Sequence, residues 1–212
     1  ITKPLQAGNN DPNPRARIGQ FELYSDPKAI EDVDLDNLAL NKKIKADMVY
    51  VDRLDRVFPA EEMVDGDEST KWCGLEPYPE TEHTPTHWAI VDLGEMKNIS
   101  YYKLIHSGIV GETEHNTVDY QLQYLPDIDD AEWDSIEEDY ADAWVDMDKV
   151  TGNMQTMTTK TFDEPIRTRY VRLYITKAAS GNTAARIHEL ELYEEAPSAF
   201  YEKQDILNAE IQ

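Results

Sequence analysis

The amino-acid sequence predicts an all-β protein, an antiparallel β-sandwich. Short apolar or alternating runs recur along the chain, and Gly, Pro, Asn and Asp separate them at regular intervals. Of the 212 residues, 40% are hydrophobic, with 12 Tyr and 4 Trp, which is enough for one domain with a sizeable core.

The individual strands follow from their side-chain patterns. Residues 88–93 are a mostly apolar run that ends at Gly94, which indicates a buried strand. Residues 99–105 and 120–124 alternate with the period of a strand, so Tyr120, Leu122 and Tyr124 share a face. The other predicted strands are residues 45–51, 158–162, 170–175 and 187–193. Loops are predicted at residues 53–60, 73–86 and 106–116.

An acidic insertion is predicted at residues 127–143, where nine of seventeen residues are Asp or Glu. Trp133, Ile136 and Tyr140 lie three and four residues apart, so they would form one stripe of a short helix. We expect this stripe to pack on the sheet. A solvated face explains the acidic residues better than cation storage does.

The net charge of −23 restricts the classes of partner. Nucleic acid is excluded because its phosphates would be repelled, and an anionic membrane surface is excluded because basic residues are too few to attract it. No apolar run approaches the roughly 18 residues of a membrane span, so direct membrane insertion is not expected, and no signal peptide is visible. The single cysteine, Cys73, excludes an internal disulfide.

An internal similarity suggests how the chain is divided. Residues 16–24 and 185–193 share Ala, Arg, Ile, Glu, Leu and Tyr in register, and Ile-Thr-Lys precedes both. Such similarity usually reflects duplicated units, although accidental recurrence of a strand pattern is the alternative. The predicted division is residues 1–25 as the terminal hairpin of a preceding sister domain, 26–36 as a linker, 37–195 as the main domain and 196–212 as a tail.

An acidic turn stands out at residues 62–72. Asp65, Asp67 and Thr70 supply hard oxygen ligands within one tight turn, and Gly66 lets the backbone fold sharply between them. Oxygen donors at this spacing suit Ca²⁺. The alternative is an acidic surface turn that leads into a strand at Trp72.

Several short segments, none specific by itself, carry a resemblance to a known family. They are residues 37–39, 64–72, 88–94, 119–120, Trp144, 168–174 and 187–193. In this order and spacing the chain resembles the discoidin domain, also called the coagulation factor 5/8 type C domain, over roughly residues 37–195. The resemblance implies an eight-stranded antiparallel jelly-roll sandwich of the galactose-binding-domain-like kind, with binding loops at one end.

Within that family, the chain looks most similar to bacterial carbohydrate-binding modules of family 32. Their Asp-Gly-Asp-x-x-Thr turn binds a structural Ca²⁺ together with a Glu of the last strand. The resemblance therefore implies a calcium site for stability and loop placement rather than catalysis. Its ligands would be Asp65, Asp67, Thr70 and Glu189, with the carbonyl of Met63.

The sugar site transfers less well from the family. Galactose-binding members often place His directly after the Trp of the turn and an aromatic residue three positions later. Here these positions are Cys73 and Glu76, so that arrangement is broken. Sugar binding needs planar hydrogen-bonding groups and an aromatic face. The candidate contacts on the predicted loops are Arg53, Tyr78, His106, His115 and Asn116.

Catalytic interpretations are weak. His83 and His87 are separated by Pro85, which breaks any zinc-binding helix, and no phosphate-binding Gly-rich loop is present. Cys73 with the nearby histidines could suggest a thiol nucleophile, but nothing in the sequence marks a third residue that would orient the base. The chain is therefore predicted to be non-catalytic.

Two functions of different classes remain. The first is a carbohydrate-binding module of a secreted or cell-surface bacterial protein, an outer-membrane lipoprotein being one form, which binds a glycan and adjoins other domains of the same polypeptide. The second is a protein-interaction or spacer domain without sugar binding. The acidic surface and the broken galactose pattern favour the second, whereas the family resemblance favours the first.

Overall fold

Antiparallel strands make up most of the regular structure in the described part of the chain. The computed structural model describes residues 35–75, 86–179 and 184–196. The chain divides into two compact units, Ile1–Val33 and Asp34–Gln212, and the described residues all belong to the second. The predictions for the terminal hairpin at 1–25 and for all but the first residue of the tail lie outside the described residues.

Nine strands and one short helix are present in the described residues. The strands are β1 (Lys43–Ala46), β2 (Tyr50–Val51), β3 (Val57–Phe58), β4 (Trp72–Gly74), β5 (His87–His106), β6 (Asp119–Pro126), β7 (Val145–Val150), β8 (Met157–Lys177) and β9 (Ala185–Tyr193). The helix α1 is Ile136–Asp139, and single 3₁₀ turns occupy Ala60–Met63, Ser107–Val110 and Thr113–His115. None of the described helices is long and apolar enough to cross a membrane.

The two long strands, β5 and β8, connect the two layers of a sandwich. They pair antiparallel from His87 opposite Ile175 to Ile105 opposite Met157, with a break in register between Asp92 and Lys97. The first half of β5 also pairs with β1, and its second half pairs with β9, which pairs with β4. The second half of β8 pairs with β6, and β6 pairs with β7. The predicted antiparallel β-sandwich is confirmed.

The main core fills the space between the layers. It contains the fully buried Trp72, together with inward-facing residues from β5, β6, β8 and β9. Tyr120 and Leu122 are buried in this core and Tyr124 packs against it, so their predicted common face is confirmed. Alternation along β6 therefore directs Tyr120, Leu122 and Tyr124 to the core, as the pattern predicts.

The acidic insertion packs on the outer side of the sheet. Ile136 is fully buried in a second cluster with Ile90, Tyr170 and other apolar residues, and Trp133 and Tyr140 pack against it. The predicted apolar stripe is thus confirmed, although the α-helix is only four residues long. The ammonium groups of Lys43 and Lys45 in β1 lie 4.5 and 5.2 Å from the centroid of the Trp133 ring, which fastens the insertion to the sheet.

Four segments differ from the predicted loops and strands. Cys73 and Gly74 were expected in a loop but belong to β4, because the backbone there pairs with Arg186 and Ala185 of β9. The predicted strand at residues 45–51 is interrupted between β1 and β2, and β3 lies within the predicted loop at residues 53–60. Strand β7 was not predicted, although its first four residues alternate between apolar and charged side chains.

Candidate functional site

The short ribbon of β2 and β3 forms one wall of a candidate site. Tyr50 pairs with Phe58 across the ribbon, and their rings stack with centroids 6.0 Å apart and planes inclined by 19°. The turn between the strands is held by Asp52, whose carboxylate accepts hydrogen bonds from the backbone N–H groups of Leu54 and Arg56 at 2.8 and 3.0 Å. The sequence therefore fixes two aromatic rings side by side on a rigid turn.

A pocket of about 320 Å³ lies against this wall and is open to solvent. The β2–β3 ribbon, the beginning of β4, the turn at Thr113–His115 and the beginning of β9 surround it. The pocket is lined by Tyr50, Asp52, Arg56, Phe58, Lys71, Cys73, Leu75, Glu112, His115 and Arg186. It combines an aromatic wall with several hydrogen-bonding side chains, which is the composition of a small-ligand site.

Two ion pairs lie within the pocket. Arg56 Nε donates to Asp52 Oδ2 at 2.6 Å, and Lys71 Nζ donates to Glu112 Oε2 at 3.0 Å. The hydrogen bond from Lys71 lowers the pKa of Glu112, although partial burial opposes this. The positive charge of Arg186 lowers it further, which places the Arg186 guanidinium near the same carboxylate.

Arg186 is a basic residue of the pocket with an unsatisfied donor atom among the described residues. Its Nη1 atom is buried and has no hydrogen-bond partner within the described residues, and no described acidic side chain forms an ion pair with it. Cys73 pairs with Arg186 in the neighbouring strand and is buried. Burial raises the pKa of the Cys73 thiol, so it behaves as a small apolar residue and not as a nucleophile.

The five predicted sugar contacts occupy different environments. His115 lines the pocket, whereas Arg53 is exposed and does not line it. His106 is fully buried, where its Nε2 lies 3.1 Å from Thr158 Oγ1. Asn116 is also buried, and its side chain bonds to the backbone N–H of Gly108 at 2.7 Å and the carbonyl of Met154 at 3.3 Å. Tyr78 lies outside the described residues.

Sequence reasoning missed most of the pocket. Tyr50 fell within a predicted strand and Arg186 within the repeated Ala-Arg-Ile segment, and neither was connected with a ligand. An informative signal was present in the Asp-rich turn between two aromatic residues, Tyr50 and Phe58. Arg186 is brought to the pocket only by the pairing of β4 with β9, which local patterns do not specify.

The predicted calcium turn lies beside the last strand. Asp65 Oδ2 accepts a hydrogen bond from Thr70 Oγ1 at 2.9 Å, and Glu189 Oε1 accepts one from the backbone N–H of Gly66 at 2.8 Å. The Asp65 carboxylate lies close enough to Glu189 to contribute to the raised pKa of Glu189. The Asp67 carbonyl accepts from Thr70 Oγ1 at 2.8 Å, while the Asp67 carboxylate accepts from Ser69.

The chemistry of this turn fits a hard cation. Glu189 is fully buried, its Oε2 atom has no hydrogen-bond partner among the described residues, and burial raises its pKa to about 8. A buried carboxylate with an unused oxygen next to Asp65 is stabilised either by a proton or by a cation.

No group of three or more His, Cys, Asp or Glu in the described parts of the chain is arranged for a metal. The fit therefore depends on two carboxylates together with hydroxyl and carbonyl oxygens, a mixture that Ca²⁺ accepts. Met63 is buried at the end of the preceding 3₁₀ turn.

Comparison with solved structures places this fold among sugar-binding modules. A family 32 carbohydrate-binding module of Streptococcus pneumoniae EndoD is 20% identical with a TM-score of 0.55, over 75% of this chain and 99% of that one. The family 32 module of C. perfringens NanJ, solved in complex with galactose, is 17% identical with a TM-score of 0.54, over 73% and 94%. Chitosan-binding module 2 of a Paenibacillus sp. IK-5 chitosanase/glucanase, in complex with chitotriose, is 23% identical with a TM-score of 0.53, over 74% and 99%. At these identities the likeness establishes the fold.

No individually curated protein sequence matches the chain. The F5/8 type C domain profile, in contrast, matches residues 44–190, which span both layers of the sandwich, the acidic turn and the walls of the pocket. The chain therefore belongs to the F5/8 type C, or discoidin, domain family.

Proposed function

We propose that this chain is a non-catalytic carbohydrate-binding module, and that its sugar site is the pocket beside the β2–β3 ribbon. The observation that carries the proposal is the stacked pair of Tyr50 and Phe58 next to the polar side chains of Arg56, Glu112 and Arg186. A sugar ring presents C–H groups on its faces and hydroxyl groups on its edge. An aromatic wall with adjacent charged hydrogen-bonding groups complements both.

The known ligands of structural neighbours support this proposal. Galactose is bound by the C. perfringens NanJ module and chitotriose by the Paenibacillus module. This chain places Cys73 rather than His after Trp72, so we expect its sugar preference to differ from that of galactose-binding relatives. A secreted or cell-surface location and tandem neighbouring domains belong to the same proposal.

A structural Ca²⁺ would complete the module. Asp65, Thr70 and Glu189 would hold it, with the carbonyl groups of Asp67 and Met63. The ion would neutralise the buried carboxylate and tie the acidic turn to β9. Its contribution would be to stability, since none of its proposed ligands lines the pocket.

A glycan array with the purified chain in Ca²⁺ tests the sugar proposal. We expect binding to a defined glycan, and we expect Tyr50→Ala or Phe58→Ala to weaken it about tenfold or more, because each removes part of the aromatic wall. Leu54→Ala is the matched control, since Leu54 lies at the tip of the same ribbon, is 77% exposed and does not line the pocket.

Two results would contradict the proposed sugar site. A blank array from protein that is shown to unfold cooperatively would reject sugar binding and favour the protein-interaction or spacer function. Binding that survives both aromatic substitutions would move the sugar site away from this pocket.

A further inference from the structure

We infer that the pocket selects an acidic glycan, one that carries a carboxylate or a sulfate ester, and that Arg186 receives this anionic group. The inference rests on the proposed sugar-binding function and specifies its ligand class. It begins from the contrast between the pocket and the whole chain, which has a net charge of −23.

The pocket collects basic side chains on an otherwise acidic protein. Arg56, Lys71, His115 and Arg186 line it, against the two carboxylates of Asp52 and Glu112. Each carboxylate is already paired, since Asp52 accepts from Arg56 and Glu112 accepts from Lys71. The guanidinium of Arg186 forms no ion pair within the described residues, and it adds a third cationic group to a pocket with two carboxylates.

The state of Arg186 is unusual for a half-buried guanidinium. Its Nη1 atom is buried without a hydrogen-bond partner in the described residues. A buried donor without a partner costs free energy, and a guanidinium is best satisfied by a planar or tetrahedral anion that accepts two parallel hydrogen bonds. A carboxylate or sulfate on a sugar ring packed against Tyr50 and Phe58 would supply these acceptors.

The surrounding acidic surface sharpens this selectivity. Exposed charges beyond about 8 Å are largely screened at physiological ionic strength, so the distant carboxylates repel an anionic ligand weakly once it is seated. They do oppose anionic ligands at other places on the surface. A neutral sugar offers Arg186 hydroxyl acceptors but no opposite charge, and a cationic amino sugar brings a second positive charge beside it.

The experiment measures affinities for ligands matched in shape and different in charge. The probes are a trigalacturonate and its methyl ester, a sulfated galactan oligosaccharide and its desulfated form, and chitotriose, each titrated by calorimetry in Ca²⁺ into the full chain. We expect the acidic member of at least one pair to bind about tenfold or more tightly than its neutral partner, with chitotriose the weakest. The pair that shows the difference identifies carboxylate or sulfate as the recognised group.

Variants of Arg186 connect the preference with this side chain. Arg186→Gln removes the charge, so the acidic and neutral members of a pair should then bind within about twofold of each other. Arg186→Lys keeps the charge without the two-pronged donor geometry and should retain an intermediate preference. Thermal unfolding of each variant checks its fold, and Arg53→Gln is the control because Arg53 is exposed and outside the pocket.

The salt dependence of binding by the wild type tests the acidic preference even if an Arg186 variant does not fold. Affinity for the acidic probe should fall as salt rises from 50 to 500 mM, while affinity for its neutral partner should not. Equal binding of acidic and neutral members, or tightest binding of chitotriose, overturns the acidic preference and leaves sugar binding in place. Failure of every probe to bind a folded chain overturns the preference and counts against the proposed function as well.

Discussion

Glu189 in the last strand accepts a hydrogen bond at 2.8 Å from the backbone N–H of Gly66, a residue 123 positions earlier in the chain. Gly66 has a backbone φ of +81°, which favours glycine, and a Cβ atom there would come within 3.0 Å of Leu40. The acidic turn is thus shaped so that its backbone reaches a buried carboxylate. This contact joins one loop to the strand that ends the domain, and it makes the turn a determinant of stability.

Asp65→Ala tests the proposed calcium ion. In the wild type, Ca²⁺ at 100 times its Kd should raise the free energy of unfolding by about 3 kcal/mol, because the ion binds only the folded state. The variant should melt at a lower temperature and lose this dependence on Ca²⁺. Differential scanning calorimetry with Ca²⁺ and with chelator measures both effects. Glu138→Ala is the control, because it removes an exposed carboxylate of the insertion and should preserve the effect of Ca²⁺ on the melting temperature. If the wild type has the same melting temperature with and without Ca²⁺, the proposed ion is rejected.

Ile136→Ala tests how the insertion is attached. Ile136 is fully buried against Ile90 and Tyr170, so truncation leaves a cavity and should cost about 2–5 kcal/mol of unfolding free energy. Urea denaturation provides the measurement, with the exposed Asp142→Ala as the control, expected to change stability by less than about 0.5 kcal/mol. A change that small for Ile136→Ala would mean that the insertion contributes little to the folded domain.

The sandwich was predictable from sequence because its inner strands alternate strongly. Residues of β6 such as Tyr120 and Leu122 are buried, and the buried run at residues 89–93 of β5 is apolar except for Asp92. The stripe of Trp133, Ile136 and Tyr140 was predictable for the same reason. When one face of a segment is buried, its apolar residues recur at a regular spacing in the sequence.

The pocket was much less predictable, because long-range pairing creates it. His106 looks like a loop residue in the sequence, yet it ends β5 and is fully buried. Arg186 looks like an ordinary strand residue, yet its pairing opposite Cys73 places it at the pocket. Local patterns report which residues are buried and which alternate. They do not report which strands become neighbours, and this pairing determines which side chains meet.

Asp92→Asn tests the anchor between β5 and β8. Arg169 donates to both carboxylate oxygens of Asp92, at 2.7 and 2.9 Å, and the N–H of Gly94 donates to Oδ1 at 2.8 Å. Burial alone would raise the pKa of Asp92, but these hydrogen bonds and the charge of Arg169 lower it. The substitution should cost about 2 kcal/mol at pH 7, the value of a hydrogen bond to a charged group.

The pH dependence of the Asp92 anchor follows from the lowered pKa. Above the pKa of the unfolded carboxyl, about 3.9, the stabilisation is fully present, and it is lost as the pH falls through the lower folded value. The stability difference between wild type and Asp92→Asn, measured by urea denaturation, should therefore shrink below pH 4. A difference that stays constant down to pH 2 would show that the charge of Asp92 is not what stabilises the pair.

His106→Gln tests the buried histidine through the pH dependence of stability. Burial, with a smaller contribution from nearby His188, lowers the pKa of His106 to about 4 from an ordinary value of 6.5. As the pH falls from 6.5 to 4, the unfolded chain takes up a proton at this residue and the folded chain does not. His106 should therefore reduce the stability of the wild type over this window, by on the order of 3 kcal/mol at its end, and this loss should reverse as the pH rises. Glutamine keeps a hydrogen-bonding group for Thr158 but does not titrate, so the variant should lose less stability as the pH falls.

Urea denaturation at pH 7, 6, 5 and 4 gives the stability profile of each protein. The difference between the two profiles removes the contributions of all other titrating groups, including Glu189. Parallel profiles would mean that His106 is protonated in the folded domain despite its burial.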